Sequence, residues 1–200
     1  MKNFSIGVIG AGAIGLAFAK QAAAAGYQVI VSNSRGPESL QSTVAGIENL
    51  TAGTAQDSAK ADVVMVALTW KQLAENAKLL PDLTDKIVLD PMNPVIMPGF
   101  IIPDLGERTS SQVVASLIPG SRLVKIFNTL PPPLILANPK QANGSRVVFY
   151  SGDDVAAKRV VGELVTDMGF AGIDLGGLGT GGRLQQFPGG SLPSLNLIKL

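Results

Sequence analysis

Short apolar runs of strand length alternate along this chain with longer stretches rich in Ala and Leu at helical spacing. The short runs are almost continuously apolar and rich in β-branched residues, which is typical of strands buried on both faces of a sheet. They predict strands at Ser5–Ile9, Gln28–Ser32, Glu48–Thr51 (the weakest), Asp62–Leu68, Lys86–Asp90, Arg122–Phe127 and Arg146–Ser151. The longer stretches predict helices at Ala13–Ala25, Pro37–Val44, Trp70–Leu80, Glu107–Ile118 and Asp153–Met168.

This alternation predicts βαβ units and therefore an α/β fold of Rossmann type, with a doubly wound, mainly parallel sheet. The 200 residues can bury one good core, so we expect a single dinucleotide-binding domain over 1–200. Residues 1–150 are expected to form the core fold. Residues 151–200 are expected to add a helix and a Gly-rich C-terminal extension.

Two segments interrupt the pattern: Pro91–Gly106, which is rich in Pro and aliphatic residues, and Gly172–Pro193, which is rich in Gly. Such segments are often linkers or surface loops, and as often functional. The first is too apolar to face water, so we expect it to line a pocket or a subunit contact. The apolar chain end predicts a homodimer contact through Leu192, Leu195, Leu197, Ile198 and Leu200.

Composition removes several kinds of chemistry. The chain has no Cys and no His, which excludes disulfides, thiol nucleophiles and imidazole acid–base catalysis, and we predict no metal site. The formal net charge is only +1 and there is no basic run, so we expect no nucleic-acid partner. No stretch is long enough to span a bilayer, and we expect a soluble, cytoplasmic protein with no membrane partner.

The first predicted strand runs directly into a glycine-rich turn and then a helix, with the sequence Gly10-Ala11-Gly12-Ala13-Ile14-Gly15. In this context Gly10 permits the tight turn, Gly12 lets a pyrophosphate approach the backbone, and Gly15 lets the helix pack on the sheet. The helix N-terminus offers N–H groups to the anion. We therefore predict dinucleotide binding, the alternative being a helix start without a ligand.

The end of the second strand predicts which dinucleotide is bound. NAD-binding versions place an acid there to hold the ribose 2′-OH. This chain instead has Ser32-Asn33-Ser34-Arg35. Arg35 can pair with a 2′-phosphate in a bidentate manner, and the neighbouring hydroxyls can donate to it. We therefore predict NADP(H), the alternative being that Arg35 is an ordinary solvated loop residue.

The remaining site residues are expected in the loops that follow three further strands, where ligands bind in open α/β sheets. These loops contain the cofactor-site candidates Leu68, Thr69, Trp70, Pro91, Met92, Asn93 and Asn128. We predict that Thr69, Asn93 and Asn128 are the catalytic group, orienting the nicotinamide carboxamide or the second substrate. Each could equally bond its own backbone at a turn, and Trp70 could equally be a core anchor.

Several longer stretches carry a family resemblance: Gly10–Gly15, Asn33–Ser39, Leu68–Trp70, Asp90–Pro94 and Val124–Leu130. With these, the chain resembles the NADPH-dependent coenzyme F420 reductases, and more closely their relatives described as predicted dinucleotide-binding enzymes. The cytosolic domains of membrane-bound metalloreductases are similar in the same way. The Asn-Ser-Arg-Gly-Pro-Glu-Ser and Phe-Asn-Thr-Leu runs are the most particular features.

The resemblance implies hydride transfer between NADP(H) and a small redox substrate, a flavin or the deazaflavin coenzyme F420, in a fold that is usually dimeric. The sequence departs from the F420 reductases at Phe187-Pro188-Gly189-Gly190, where they run a more continuous helix. Two alternatives stay open: a non-enzymatic NADP(H) sensor, and a flavin, quinone or metal-chelate reductase unrelated to F420.

Overall fold

Six parallel strands form the centre of the sheet. The computed structural model describes residues 2–141 and 143–200. The strands are β1 (Ile6–Ile9), β2 (Val29–Ser32), β3 (Leu50–Ala52), β4 (Val63–Val66), β5 (Ile87–Asp90) and β6 (Arg122–Ile126). They lie in the order β3-β2-β1-β4-β5-β6, which is the order of a doubly wound dinucleotide-binding sheet. The predicted Rossmann-type α/β fold is confirmed.

Four further strands extend the sheet beyond β6. They are β7 (Lys140–Gln141), β8 (Gly144–Gly152), β9 (Ala171–Asp174) and β10 (Ile198–Lys199). Strand β8 is antiparallel to β6, β9 is parallel to β8, and β7 and β10 pair antiparallel with β8. The sequence predicted β8 alone, because β7 and β10 have two residues each and β9 lies inside the Gly-rich segment.

Eight α-helices connect these strands: α1 (Ala13–Ala24), α2 (Gln41–Val44), α3 (Ala55–Ala59), α4 (Trp70–Asn76), α5 (Ser110–Leu117), α6 (Pro132–Leu136), α7 (Val155–Asp167) and α8 (Gly181–Gln185). Short 3₁₀ turns precede α2, at Pro37–Leu40, and follow α4, at Ala77–Leu79. Helix α5 begins later than predicted because Thr109 caps it by accepting a hydrogen bond from the Gln112 N–H. Helices α3, α6 and α8 were not predicted, and each has only five residues.

Apolar residues cover both faces of the sheet. Alternate residues of the central strands contribute to two separate buried clusters, as expected for side chains that point to opposite faces. One cluster contains Phe18, Phe127 and Phe170, and the other contains Trp70 and Leu73. Among the residues that the structure describes, no helix is long and apolar enough to cross a bilayer.

Of the two alternatives for 172–193, that of a plain linker or surface loop is not the correct one, because the segment contributes to β9 and contains the helix α8, three of whose five residues are buried. A Cβ on Gly181 would lie 2.7 Å from the Cβ atoms of Leu175 and Ser151, so only glycine allows this approach. The helix ends with Gln185, whose side chain is fully buried. Its amide accepts a bond from Ser151 Oγ (2.7 Å) and donates to the Phe149 carbonyl (3.0 Å).

We expect Gln185→Leu to lower the free energy of unfolding by about 2–4 kcal/mol, because it leaves the Ser151 hydroxyl and the Phe149 carbonyl buried without a partner. Chemical denaturation measures this loss. Gln41→Leu, at an exposed position on α2, is the matched control and should change stability by less than about 0.5 kcal/mol. Equal effects of the two substitutions would contradict the assigned role of Gln185.

Candidate active site

A cleft of about 1050 Å³ lies at the carboxyl ends of β1, β2 and β4. Its walls are the glycine turn, the loop after β2, the loop after β4 and one side of α4. The lining residues include Gly10, Ala11, Gly12, Ala13, Ile14, Ser32, Asn33, Ser34, Arg35, Leu68 and Thr69, all of them predicted. The carboxyl edge of the sheet at the reversal of strand order is where such folds bind dinucleotides.

The three glycines of the turn have different structural roles. Gly10 has φ +112° and a Cβ there would lie 2.2 Å from the Ala67 carbonyl oxygen, so this turn requires glycine. A Cβ on Gly15 would lie 2.0 Å from the Gly10 carbonyl oxygen, so α1 packs closely on the turn. Gly12 has an ordinary φ of −78°, and a Cβ there would meet no protein atom within 4 Å. The space beside Gly12 is therefore open cleft.

Helix α1 begins directly at this turn and leaves its first N–H groups available. No side chain caps it at Gly12, and the first N–H groups of a helix have no partner within it. These groups, the helix dipole and the open space beside Gly12 fit a pyrophosphate.

The loop after β2 holds Arg35 at the cleft. Asn33 shapes the loop, since its Oδ1 accepts from the Arg35 N–H (2.9 Å) and its Nδ2 donates to Ser39 Oγ (2.9 Å). Ser34 and Arg35 are exposed, and the Arg35 guanidinium forms no ion pair with any described residue. Arg35 is also the one charged residue among the described residues that line the cleft. It is free to meet a 2′-phosphate.

One predicted contact is refined and another is corrected. Ser32 lines the cleft, but its side chain is fully buried and its hydroxyl donates to the Val8 carbonyl (3.0 Å), so that hydroxyl holds β2 against β1. Trp70 is 6% exposed and packs in the second apolar cluster, so the alternative of a core anchor is the correct one. Thr69 lines the cleft, but its hydroxyl caps α4 and donates to Gln72 Oε1 (2.9 Å).

Asn93 and Asn128 are brought together, but not at the cleft wall. Asn128 Nδ2 donates to Asn93 Oδ1 (2.9 Å) and to the Gln185 carbonyl (2.6 Å), which uses both of its amide hydrogens. Asn93 Nδ2 donates to the Asn128 carbonyl (3.0 Å), and its Oδ1 also accepts from the Phe187 N–H (3.2 Å). These bonds leave one Asn93 amide hydrogen available to a ligand and none on Asn128. The predicted ligand-orienting role is therefore left to Asn93, and Asn128 supports the Asn93 side chain.

The other predicted residues of this edge lie beneath it. Pro91 and Met92 are buried, and Met92 packs in the second apolar cluster. Conversely, the sequence missed other cleft residues: Ile9, Ala55, Ala67, Gln72, Asn76, Leu79, Leu80 and Pro132. They lie on β1, α3, α4 and α6, after β4, and in the 3₁₀ turn that follows α4 or directly after it. The capping residue Gln72 was detectable from the Thr-x-x-Gln spacing. The others carry no sequence signal for ligand binding.

Comparison with known proteins shows what this chain is similar to. A hypothetical protein, SMa0349, from Sinorhizobium meliloti is 42% identical, and the match covers 98% of this chain and 96% of that one with a TM-score of 0.90. Residues 5–94, which include the glycine turn and Arg35, match the family model described as NADP oxidoreductase, coenzyme F420-dependent. The matched residues make up a little under half of the chain. The match supports the resemblance to F420-dependent NADP oxidoreductases stated from the sequence, which is confirmed.

Two further proteins are similar over most of the chain. A candidate F420-dependent NADP reductase from Arthrobacter sp. FB24 is 25% identical, covers 88% of this chain and 86% of its own, and has a TM-score of 0.69. The rat metalloreductase STEAP3 is 28% identical over 191 residues, which are 94% of this chain and 37% of that protein. The chain thus spans little more than a third of the length of the curated relatives it matches.

Proposed function

We propose that this oxidoreductase transfers a hydride from NADPH to a planar redox ring, a flavin or the deazaflavin of coenzyme F420. The observation that supports this is the chemistry of the cleft wall. Among its described residues none is Asp, Glu, Lys or Tyr, and the chain has no His. Oxidation or reduction at a hydroxyl group normally needs such a side chain to move the proton. A flavin-type ring takes its proton at a nitrogen that water reaches.

The described residues fit NADP(H) specifically. The open space at Gly12 and the uncapped start of α1 would hold the pyrophosphate, and Arg35 would hold the 2′-phosphate. Bound NADPH supplies the hydride. The protein's part is to hold the reacting rings in line and to exclude water. Asn93 is the side chain that we propose for orienting the nicotinamide carboxamide.

The test is NADPH oxidation by the purified protein with FMN, FAD, F420, a quinone and a ferric chelate added separately. We expect turnover with at least one ring acceptor and none without an acceptor. Turnover with the ferric chelate alone would favour the metal-chelate reductase, which the metalloreductase relatives make the second candidate. Tight NADPH binding with no turnover would favour the non-enzymatic sensor. A cytoplasmic location stays a prediction from the sequence.

We also propose that the protein is a homodimer. The turn closed by the backbone pair Ile96–Ile101 exposes large apolar side chains instead of covering the cleft, and the chain end exposes more. Phe100 is 49% exposed and meets the half-exposed ring of Phe187 edge to face, with ring centroids 6.0 Å apart. The exposed large apolar residues of the turn are Met97, Phe100, Ile101 and Ile102, and those of the chain end are Leu195, Leu197 and Leu200. Exposed apolar side chains grouped in this way are typical of a subunit contact.

Light scattering at micromolar concentration is expected to give the mass of a dimer. The double substitution F100S/I101S should shift the protein to a monomer, because polar hydroxyls replace apolar contacts. Val155→Ser, which alters an exposed apolar residue on α7, should leave the dimer intact. A wild-type protein that is monomeric at every concentration would contradict this proposal.

A further inference from the structure

A fully buried charged pair lies at the carboxyl ends of β5 and β6. Asp90 and Lys125 have no exposed side-chain surface, and Lys125 Nζ lies 3.5 Å from Asp90 Oδ2. Burial lowers the pKa of Lys125, and the charge of Asp90 counteracts part of that shift. Removing charges from water is costly, and neutral replacements of such pairs are often as stable. Stability therefore does not explain why this fold buries the pair.

Both charged groups of the pair also bond the backbone of one residue, Met92. Lys125 Nζ donates to the Met92 carbonyl at 2.9 Å, and Asp90 Oδ1 accepts from the Met92 N–H at the same distance. Ser111 Oγ donates to Asp90 Oδ2 (2.6 Å), and Ser110 Oγ accepts from Lys125 Nζ (3.3 Å). Both polar backbone groups of Met92 are thus held by side chains that α5 fixes in place.

The residue that follows Met92 is Asn93, which carries the one free amide hydrogen of the asparagine pair. Asn93 donates to the Asn128 carbonyl, and Asn128 lies three residues after Lys125, just beyond the end of β6. Strand β6 and the residues that directly follow it therefore supply both the buried ammonium and the contact to Asn93. The orientation of Asn93 depends on the peptide groups before it and on Asn128. Lys125 is linked to both, since it bonds the Met92 carbonyl and lies three residues before Asn128.

We propose that Lys125, together with Asp90, is a positioning residue that fixes the turn 91–93 so that Asn93 meets the nicotinamide end of the cofactor. This inference rests on the proposed function. Lys125 touches no ligand itself. A side chain that orients a reacting group needs this kind of rigid support, because small misplacements cost much of the rate.

The test is the paired substitution D90N/K125M. It removes both charges together and keeps an acceptor for the Met92 N–H in the Asn oxygen, while the bonds from Lys125 Nζ to the Met92 carbonyl and to Ser110 Oγ are lost. NADPH affinity should stay within about twofold, because the glycine turn and Arg35 are unchanged, while kcat should fall about 10-fold to 100-fold. The fluorescence of bound NADPH, which reports the surroundings of the nicotinamide and needs no turnover, should move towards that of free NADPH.

The matched control is K158M/D174N, which neutralises another Lys–Asp pair (3.0 Å) on α7 and β9. It should leave the NADPH affinity, kcat and the fluorescence of bound NADPH unchanged. If D90N/K125M does not fold, Ser111→Ala replaces it. We expect Ser111→Ala to cause the same changes, with a loss in kcat of about threefold.

Wild-type kcat and wild-type NADPH fluorescence in the variant would overturn the inference, and so would a tenfold loss of NADPH affinity. A wild-type protein that binds NADPH tightly but oxidises it with no flavin, deazaflavin or quinone would refute the proposed function instead. The fluorescence comparison would still decide the role of Lys125.

Discussion

Arg35→Ala is expected to weaken NADPH binding by about 1.5–3 kcal/mol, or about 10-fold to 150-fold in Kd, and to leave NADH binding unchanged. The physical reason is that Arg35 is the one charge among the described residues of the cleft wall, at the end of β2 where an NAD-binding fold has an acid. A charge-assisted bond to the 2′-phosphate is available only to NADPH.

Titration of both dinucleotides by fluorescence or calorimetry measures the difference. Arg159→Ala, on the exposed side of α7, removes the same charge elsewhere and should change neither Kd. Equal losses for NADPH and NADH in Arg35→Ala would show that Arg35 contributes no selectivity.

Gly12→Val is expected to abolish most binding of both dinucleotides without changing stability. Its φ of −78° suits valine, and a Cβ there meets no protein atom within 4 Å, so the fold should tolerate it. The added methyl groups would occupy the space that we assign to the pyrophosphate. Losing two charge-assisted hydrogen bonds would cost about 3 kcal/mol or more, roughly 150-fold or more in Kd.

The measurement combines Kd values with the thermal midpoint of unfolding. Ala24→Val, at an exposed position of the same helix, is the control for adding two methyl groups. Gly15→Ala should behave oppositely and lose stability, because its Cβ would lie 2.0 Å from the Gly10 carbonyl oxygen. Normal NADPH binding by Gly12→Val would place the pyrophosphate elsewhere.

The part of the fold that sequence predicts best is the part where local chemistry and tertiary packing agree. Strand β1, the glycine turn and α1 follow from apolar runs and from glycines, of which Gly10 and Gly15 are required by close packing. Helix α8 could not be predicted in this way. Its glycines resemble a loop in the sequence, and only the close approach to Leu175 and Ser151 makes Gly181 necessary.

In the candidate site, too, the residues that belong to one local segment could be predicted and those that depend on distant contacts could not. Arg35 and the glycine turn lie on single segments, so their place in the cleft follows from the fold class. Asn93 and Asn128 were predicted to converge, and they do, but sequence cannot give the partners of an amide. The contacts that occupy Asn128 come from Asn93 and Gln185, 35 and 57 residues away in the chain. Trp70 follows a cleft residue in the sequence, but its side chain packs in the core and does not face the cleft.

The central claim is hydride transfer from NADPH to a ring acceptor, and stopped-flow oxidation of NADPH deuterated at the transferring C4 position tests it most directly. We predict acceptor-dependent oxidation that deuterium slows, with the label recovered at the ring carbon when the acceptor is a deazaflavin. Tight binding of NADPH with no oxidation by any flavin, deazaflavin or quinone would contradict the claim.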